Sequence, residues 1–290
     1  MKINALLTFF ISFMLAFTCF GAVSFSMTDF QKKVYPRKSF LSIEKRTTYF
    51  RCTKKMCKKV GSVGMAANGS VIKHTKDKTY ILTAAHLIWL NPLSMIRRLM
   101  IYRPGAKVKV ITNYSAVDFH GNLYMKLKLV SYDKNTDLAI MKLKRIKLPV
   151  ITIAKKAPKI GEMLYNVSTP AGMFRPGLVP FFKGQLMGYS SPRKKRMAIT
   201  NIPTAKGASG SPIVNSAGHL VGMISAVHRR FHHISFSPTH KQIVEFTKRV
   251  FKGEKVSLCL LPTNQPTSRP TNQPAIEEKN EFAAPNFDSE

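Results

Sequence analysis

The 290-residue sequence is poor in acidic residues, with 14 Asp and Glu against 46 Lys and Arg, and it carries a formal net charge of +32. Such a charge excess predicts affinity for something acidic, such as nucleic acid, an anionic membrane or an acidic protein, but it predicts neither a fold nor a reaction. The low hydrophobicity typical of disorder is absent, because 44% of the residues are apolar. We therefore expect a folded chain with a sizeable core.

Cysteine is also scarce, with four in the whole chain. There are no paired Cys-x-x-Cys motifs, so no zinc site is predicted, and no other metal or cofactor is expected. The spacing of Cys52 and Cys57 suits a small disulfide loop in an oxidising compartment. Three Asn-x-Ser sequons, which matter only in a eukaryotic secretory pathway, occur at Asn68, Asn113 and Asn166.

The two ends of the chain differ from its middle. Residues 1–25 contain one Lys, an apolar stretch from Ala5 to about Phe20 and then small residues, which is the pattern of a secretory signal peptide. This pattern predicts a secreted, periplasmic or envelope protein without a membrane anchor after cleavage; the alternative is an anchor that is retained. Residues 254–290 are predicted to form a linker and a disordered tail, because PTNQP repeats twice in a segment rich in Pro, Asn and Gln.

The middle of the chain consists of short apolar or alternating runs separated by Gly, Pro, Asn and charged residues. Examples are TYILTAA, KVKVIT, LYMKLKLVSY, DLAIMKLK and HLVGMISAV. Their length and β-branched content favour strands, and many short strands indicate an all-β sandwich or barrel. A single late segment, Pro238 to Phe251, is predicted as a helix that places Ile243, Phe246, Val250 and Phe251 on one face.

Three separate segments carry residues suited to nucleophilic catalysis. His86 follows the strand that ends in Thr-Ala-Ala, Asp137 opens the strand Leu-Ala-Ile-Met, and Ser209 lies in the glycine-flanked loop KGASGSP. A serine hydroxyl needs a base to take its proton, and the pKa of histidine suits that role. A buried carboxylate fixes the imidazole tautomer, and glycines beside the serine allow backbone N–H groups to stabilise an oxyanion. Taken singly, each segment also fits a structural role.

Together, TAAH, DLAIMKL and GASGSP resemble the three signature segments of the chymotrypsin-like serine proteases. The segment from Thr200 to Ser209, and Phe236-Ser-Pro238 followed by a helix, are similar to the loop before the serine and to the C-terminal strand and helix of the HtrA/DegP-like and glutamyl-endopeptidase-like bacterial branch. The resemblance implies an all-β fold of two six-stranded antiparallel β-barrels with a C-terminal helix and a catalytic site between the barrels. We assign residues 58–253 to this protease domain. Residues 26–57 form an N-terminal segment that is either a propeptide or part of the first barrel.

The resemblance also assigns roles to individual residues. It implies a serine endopeptidase acting on proteins or peptides, with His86 as general base and acid, Asp137 as its orienting carboxylate and Ser209 as nucleophile. The backbone N–H groups of Gly207 and Ser209 are expected to form the oxyanion hole. The residues expected to bind substrate are Pro203, Thr204, Ser225, Ala226 and Val227.

Several family features are missing from this sequence. Ala208 stands where trypsins have an Asp, and there is no Ile-Val-Gly-Gly start, so activation by N-terminal insertion is not expected. Pro203 stands where trypsin has its specificity Asp, so cleavage after Arg or Lys is not expected either. Small or medium aliphatic side chains are predicted at the cleaved residue; the alternative is an acidic side chain attracted by the basic segment 228–233. Ser211 replaces a family glycine without removing a catalytic group, and no PDZ-like domain fits after residue 253.

The competing hypothesis is a catalytically silent protease-fold module that binds anionic partners through its basic surface. Basic residues occur throughout the predicted barrels, with runs at 193–196 and 228–233. Aromatic residues do not interleave with them, so specific nucleic-acid recognition is not predicted. An anionic surface or an acidic partner remains the candidate target of the charge.

Overall fold

The computed structural model describes residues 36–53, 56–89, 107–190 and 196–252. The predicted signal peptide at 1–25 and the predicted linker and tail at 254–290 lie outside these ranges. Among the described residues, no helix has both the length and the apolar character needed to cross a bilayer.

The first half of the described chain forms one antiparallel sheet of seven strands. These are β1 (Phe40–Cys52), β2 (Cys57–His74), β3 (Lys78–Ala84), β4 (Lys107–Asp118), β5 (Leu123–Met125), β6 (Lys128–Asp133) and β7 (Leu138–Lys144). Their order across the sheet is β5-β4-β1-β2-β3-β7-β6. Buried side chains alternate with more exposed ones along β1, as expected when one face of a strand covers a core. Leu41 and Ile43 of this strand pack with Ile81 and Met141 in that core.

The second half forms another antiparallel sheet of seven strands. These are β8 (Met163–Val167), β9 (Phe181–Tyr189), β10 (Met197–Thr200), β11 (Pro212–Val214), β12 (Leu220–Met223), β13 (Ala226–Val227) and β14 (Ser235–Pro238). Their order is β12-β11-β8-β9-β10-β14-β13. The core includes Leu164, Leu186, Ile213 and Ile224.

The two antiparallel sheets confirm the all-β prediction, but each has seven strands where six-stranded barrels were predicted. In the first sheet the short β5 adds to the edge by pairing with β4. In the second sheet, two consecutive short strands lie at opposite edges. β12 pairs with β11, and the following β13 pairs with β14. The difference therefore lies in short segments at the sheet edges.

Within the described ranges, two α-helices follow strands of these sheets, and two short 3-10 helices lie at Pro36–Ser39 and Pro170–Gly172. A single helical turn, α1 (His86–Trp89), follows β3, and α2 (His240–Phe251) ends the described chain. In α2, Ile243 and Phe246 are buried and Val250 and Phe251 are half-buried, which confirms the apolar face predicted from the sequence. Thr239 caps the helix, since its side chain accepts from the Gln242 N–H while the Gln242 side chain accepts from the Thr239 N–H. The helix thus begins two residues after Pro238.

Part of the N-terminal segment belongs to the first sheet. β1 lies between β2 and β4 and pairs with both along its whole length, so residues 40–52 are an interior strand. At the end of the β1–β2 hairpin, Cys52 and Cys57 form a disulfide. The spacing of the two residues allowed this small loop, and the structure shows that it forms.

The segment that connects the two sheets is hydrogen-bonded to both. The Ile151 N–H donates to the Val71 carbonyl in β2 at 2.8 Å, and the Ala154 N–H donates to the Leu220 carbonyl in β12 at 2.9 Å. The first sheet carries His86 and Asp137, and the second carries the loop of Ser209.

Candidate active site

His86 is positioned by the end of β3 and by the turn before β7. Ala84 and Ala85 are fully buried, and the Ala85 N–H donates to the Asp137 carbonyl at 3.1 Å. These small residues allow the strand end to pack closely against the turn that carries Asp137. The imidazole that follows remains partly accessible, with 19% of its side chain exposed.

Both carboxylate oxygens of Asp137 bind His86. Oδ1 accepts from the His86 backbone N–H at 2.8 Å, and Oδ2 lies 2.9 Å from His86 Nδ1. An ionised carboxylate only accepts hydrogen bonds, so a neutral imidazole in this contact carries its proton on Nδ1. Nε2 is then left as an acceptor, which is the state that a general base needs.

A third donor reaches the same carboxylate from the second sheet. The Ser225 hydroxyl donates to Asp137 Oδ2, although 88 residues separate the two in the chain. Asp137 is buried, and its φ of 58° is a left-handed conformation that suits the turn before β7. These three hydrogen bonds hold the carboxylate, so its orientation is fixed from both sheets.

In the loop before β11, hydrogen bonds fix the orientation of two backbone carbonyls and so of the N–H groups in the same peptides. The Lys206 carbonyl accepts from the Ala171 N–H at 2.7 Å, and the Ala208 carbonyl accepts from both the N–H and the hydroxyl of Ser211. In a trans peptide the C=O and the N–H point in opposite directions. The N–H groups of Gly207 and Ser209 consequently face the other way, and neither donates a hydrogen bond to any described residue. Unpaired backbone N–H donors are one of the things that an oxyanion hole requires.

The conformation of this loop depends on glycine. Gly207 has a φ of +97°, and a Cβ there would lie 3.2 Å from the Thr169 carbonyl oxygen. Ala208, where trypsins have an Asp, is fully buried, and its carbonyl is held by the neighbouring Ser211. Hydrogen bonds from Ser211 therefore hold the loop at the position where trypsins have an aspartate carboxylate.

Ser209 is half-buried in this loop, and its carbonyl accepts from the Asn68 N–H of β2 at 2.6 Å. No hydrogen bond joins its hydroxyl to His86 among the described residues. Catalytic hydrogen bonds are commonly long in a protein without substrate and shorten when substrate binds. The structure thus joins His86, Asp137 and Ser225 directly, and it joins the Ser209 loop to β2.

The residues predicted to bind substrate lie in two places. Ser225 precedes β13, the edge strand of the second sheet, and Ala226 and Val227 form that strand and are half-buried. Pro203 is exposed, whereas Thr204 is buried and its N–H donates to the His232 carbonyl at 2.8 Å. The Thr204 hydroxyl has no hydrogen-bond partner among the described residues.

The basic segment 228–233 forms an exposed hairpin after β13. The His228 N–H donates to the Ile234 carbonyl at 2.9 Å, and Phe231 is 50% exposed with its ring 5.1 Å from that of His228. Through the contact between His232 and Thr204, this hairpin reaches the predicted specificity residues. The described residues include no cluster of three or more His, Cys, Asp or Glu suited to a metal ion.

Sequence reasoning missed the residue that connects the Ser209 loop to the first sheet. Asn68 is fully buried and donates from its side chain to the Gly207 carbonyl at 2.8 Å and to the Ser211 hydroxyl at 3.0 Å. In the sequence, Asn68 is marked only by its sequon. Its partners lie 139 and 143 residues further along the chain, so no local pattern signals the contact.

Comparison with known proteins gives the family. Residues 67–223 match the trypsin-like peptidase domain. Over 142 residues the chain is 28% identical to a probable periplasmic serine endoprotease, DegP-like, of Pseudomonas fluorescens. This alignment covers 46% of this chain and 29% of that protein. The chain therefore spans less than a third of the length of this relative.

Solved structures show the same fold at low sequence identity. The serine endoprotease from Yersinia pestis superposes with a TM-score of 0.53 at 18% identity, covering 79% of this chain and 67% of that one. The HtrA-type protease AlgW with a decapeptide superposes with a TM-score of 0.58 at 15% identity, covering 80% and 68%. With its two antiparallel sheets and a family match over more than half its length, the chain belongs to the trypsin-like peptidase domain family, and it resembles the HtrA branch.

Proposed function

We propose that this protein is a serine endopeptidase that cleaves peptide bonds through His86, Asp137 and Ser209. The observation that carries the proposal is the Asp137 carboxylate, which binds both the backbone N–H and the Nδ1 of His86. A general base needs a fixed tautomer and a fixed orientation, and this double contact can supply both. The similarity to proteins named as serine endoproteases supports the same reaction.

The reaction follows from the groups present. Ser209 Oγ attacks the carbonyl carbon of the peptide bond while His86 Nε2 takes the hydroxyl proton. The carbonyl oxygen becomes negative and accepts from the N–H groups of Gly207 and Ser209. His86 then gives its proton to the departing amine, which leaves an acyl-enzyme. Water, deprotonated by His86, hydrolyses the ester and restores Ser209.

Substrate is expected to bind beside β13. A strand at the edge of a sheet has free backbone groups, and an extended peptide can pair with them as an added strand. Pro203, Thr204, Ala226 and Val227 are short side chains without charge, so we propose small or medium aliphatic residues on the acyl side of the cleaved bond. Cleavage-site profiling on a peptide library decides this point. A preference for Asp or Glu would instead assign specificity to the basic hairpin 228–233.

The proposed location is the periplasm or the cell envelope. The N-terminal sequence has the pattern of an export signal, and the relative in Pseudomonas fluorescens is named a periplasmic endoprotease. The proposed partners are protein or peptide substrates, together with an anionic surface or acidic partner attracted by the net charge of +32.

Labelling with a fluorescent phosphonate that reacts with activated serines tests the enzymatic proposal. We expect the label on Ser209 of the wild-type protein and none on Ser209→Ala, with peptide cleavage lost in the same variant. Ser216→Ala is the matched control, because Ser216 is an exposed serine seven residues further on. An unlabelled wild-type protein that binds anionic partners equally well with and without Ser209 would favour the silent module instead.

A further inference from the structure

Asn68 lies in β2 of the first sheet, but its side chain contacts the Ser209 loop and a segment of the second half. Its Nδ2 donates to the Gly207 carbonyl at 2.8 Å and to the Ser211 hydroxyl at 3.0 Å, and its Oδ1 accepts from the Thr169 hydroxyl at 2.6 Å. The side chain is fully buried. Water cannot replace these contacts, so their loss leaves buried polar groups unpaired.

The backbone of Asn68 adds two contacts at the same place. Its N–H donates to the Ser209 carbonyl at 2.6 Å, and its carbonyl accepts from the Thr83 hydroxyl at 2.6 Å. One residue thus binds the carbonyls on both sides of Ala208. Because Thr83 lies in β3, three residues before His86, the same residue connects the strand that leads to the base with the loop of the nucleophile.

The chemistry of the partners fixes the orientation of the Asn68 amide. A backbone carbonyl only accepts hydrogen bonds, so the group facing Gly207 has to be the NH₂. That NH₂ also donates to the Ser211 hydroxyl, which in turn donates to the Ala208 carbonyl. Linked hydrogen bonds of this kind polarise and strengthen one another in a buried environment.

This chain of contacts ends at the peptide group between Ala208 and Ser209. With the Ala208 carbonyl held by Ser211, the Ser209 N–H of the same peptide points in the opposite direction. The adjoining Gly207 carbonyl is held by Asn68 itself. Through these two peptides Asn68 bears on the orientation of the Ser209 N–H, which the proposed reaction uses.

We propose that Asn68 is a positioning residue that holds the loop from Gly207 to Ser209, and with it the Ser209 N–H, in the orientation needed to stabilise the oxyanion. The inference rests on the proposed function and goes beyond it, because Asn68 touches neither substrate nor reacting atoms. An Asp in its place cannot donate to the Gly207 carbonyl, and an Ala reaches neither partner. Both substitutions leave the His86–Asp137 contact in place.

Steady-state kinetics of Asn68→Asp and Asn68→Ala test the proposal. Removing an oxyanion donor outright costs about 100- to 1,000-fold in kcat. We therefore expect loosened donors to lower kcat by about 10- to 100-fold, while KM changes by less than about threefold, because the oxyanion exists only in the transition state. The affinity of a peptidyl trifluoromethyl ketone, which forms an oxyanion adduct on serine, should fall in parallel with kcat/KM.

Asn166→Ala is the matched control. Asn166 is also fully buried, and its Nδ2 donates to the Pro212 carbonyl at 2.8 Å, beyond the peptides that link residues 206 to 211. It should lose stability without the selective loss of kcat. If Asn68→Ala fails to fold, Thr169→Val removes one contact of the same network, and Ser211→Ala removes the two contacts of the Ser211 hydroxyl. Equal effects of the Asn68 and Asn166 variants on kcat, at equal stability, would overturn the positioning role.

Amide hydrogen exchange gives a readout that does not require activity. In Asn68→Ala, the Gly210 and Ser211 amides, which donate to Ile224 and Ala208, should exchange at least about tenfold faster than in the wild type, while β6 and β7 stay unchanged. If wild-type protein takes no phosphonate label, the endopeptidase proposal fails while exchange still decides whether Asn68 holds the loop. Unchanged exchange, or faster exchange with unchanged kcat in an active enzyme, would contradict the inference.

Discussion

Asp137 is both a turn residue and the partner of His86. As an isolated Asp before an apolar run it fits a turn, and its φ of 58° is that of a turn. Its side chain accepts two hydrogen bonds from His86 and one from Ser225. The turn directs the carboxylate towards His86, so the local conformation and the proposed role in catalysis support each other.

Asp137→Asn should lower kcat by about 10,000-fold, the loss typical of an amide in place of the carboxylate of such a triad. An amide NH₂ facing His86 Nδ1 forces the ring proton onto Nε2, where it blocks the base. Peptide hydrolysis and phosphonate labelling measure the effect. Asp118→Asn is the control, because Asp118 is also buried but lies at the end of β4. Full activity of Asp137→Asn would refute the assigned role.

Asp118 is a structural carboxylate whose surroundings favour the charged form. Burial by itself raises the pKa of Asp118. Four hydrogen bonds lower it, two from the side chains of Asn122 and Tyr124 and two from the backbone N–H groups of Asn122 and His120. The hydrogen bonds outweigh burial, so the pKa lies below the usual value of 3.8. The pKa of Tyr124 is shifted in the opposite direction, because burial and the hydrogen bond to Asp118 raise it to about 12. The cluster fixes the turn between β4 and β5.

Asp118→Asn should therefore destabilise the fold in a pH-dependent manner. A carboxyl whose pKa is lower in the folded state adds stability above its unfolded pKa and loses it as the pH falls through the folded value. The difference in free energy of unfolding between wild type and variant should be largest near pH 7 and shrink below pH 3.8. Urea titrations at several pH values measure it. A difference that grows on acidification would contradict the hydrogen-bond argument.

At the scale of secondary-structure elements, β2 and the Ser209 loop are packed closely against each other. Gly210 has a φ of +82°, and a Cβ there would lie 2.0 Å from the Asn68 carbonyl oxygen and 2.7 Å from Thr83 Oγ1. The loop and the strand touch backbone to backbone, which only glycine permits.

Gly210→Ala should lower the free energy of unfolding by about 2–4 kcal/mol, because backbone strain adds to overpacking, and should lower kcat/KM by at least about 100-fold as the loop shifts. Gly161→Ala isolates the strain, since Gly161 has a φ of +83° and a Cβ added there would have no neighbour within 4 Å. We expect it to cost about 1 kcal/mol and to leave activity unchanged. Denaturant melts and kinetics compare the two. Equal effects would mean that close packing at Gly210 is unimportant.

Long periodic elements were the easiest to predict from the sequence. The helix was expected from Pro238 to Phe251 and is found from His240 to Phe251, since its apolar spacing and capping residues are local. Of the strand examples in the middle of the chain, TYILTAA, KVKVIT and DLAIMKLK each fall on one strand, whereas LYMKLKLVSY and HLVGMISAV are each divided between two short strands. β1 was left open, because its place between β2 and β4 depends on pairing with residues far along the chain.

For the whole molecule, the sequence supplies far fewer carboxylates than basic groups. With 46 Lys and Arg and 14 Asp and Glu in the chain, one-to-one pairing is impossible. The β1–β2 hairpin is strongly basic near its disulfide, where Arg51, Lys58 and Lys59 are exposed, and Lys109 of β4 is exposed beside them. Exposed Val60 and Val110 add apolar surface to this region.

Vesicles containing about one-third phosphatidylglycerol should bind the Ser209→Ala protein at low salt, and binding should weaken at least about tenfold at about 0.3 M NaCl, where the Debye length is well under about 10 Å. Sedimentation with vesicles measures it. Neutral phosphatidylcholine vesicles serve as the lipid control, and Lys58→Glu/Lys59→Glu as the protein control. Equal binding to neutral vesicles would contradict an electrostatic interaction.

The sequence by itself determined the net charge, the strand-rich class, the terminal helix and the order of His86, Asp137 and Ser209, because each is a composition or a short local pattern. Only the tertiary structure decided what holds those residues in place. The Ser225–Asp137 contact spans 88 residues, and the Asn68–Gly207 contact spans 139. Such contacts depend on how the two sheets pack against each other, and a hydrogen bond across that distance leaves no periodicity or local motif in the chain.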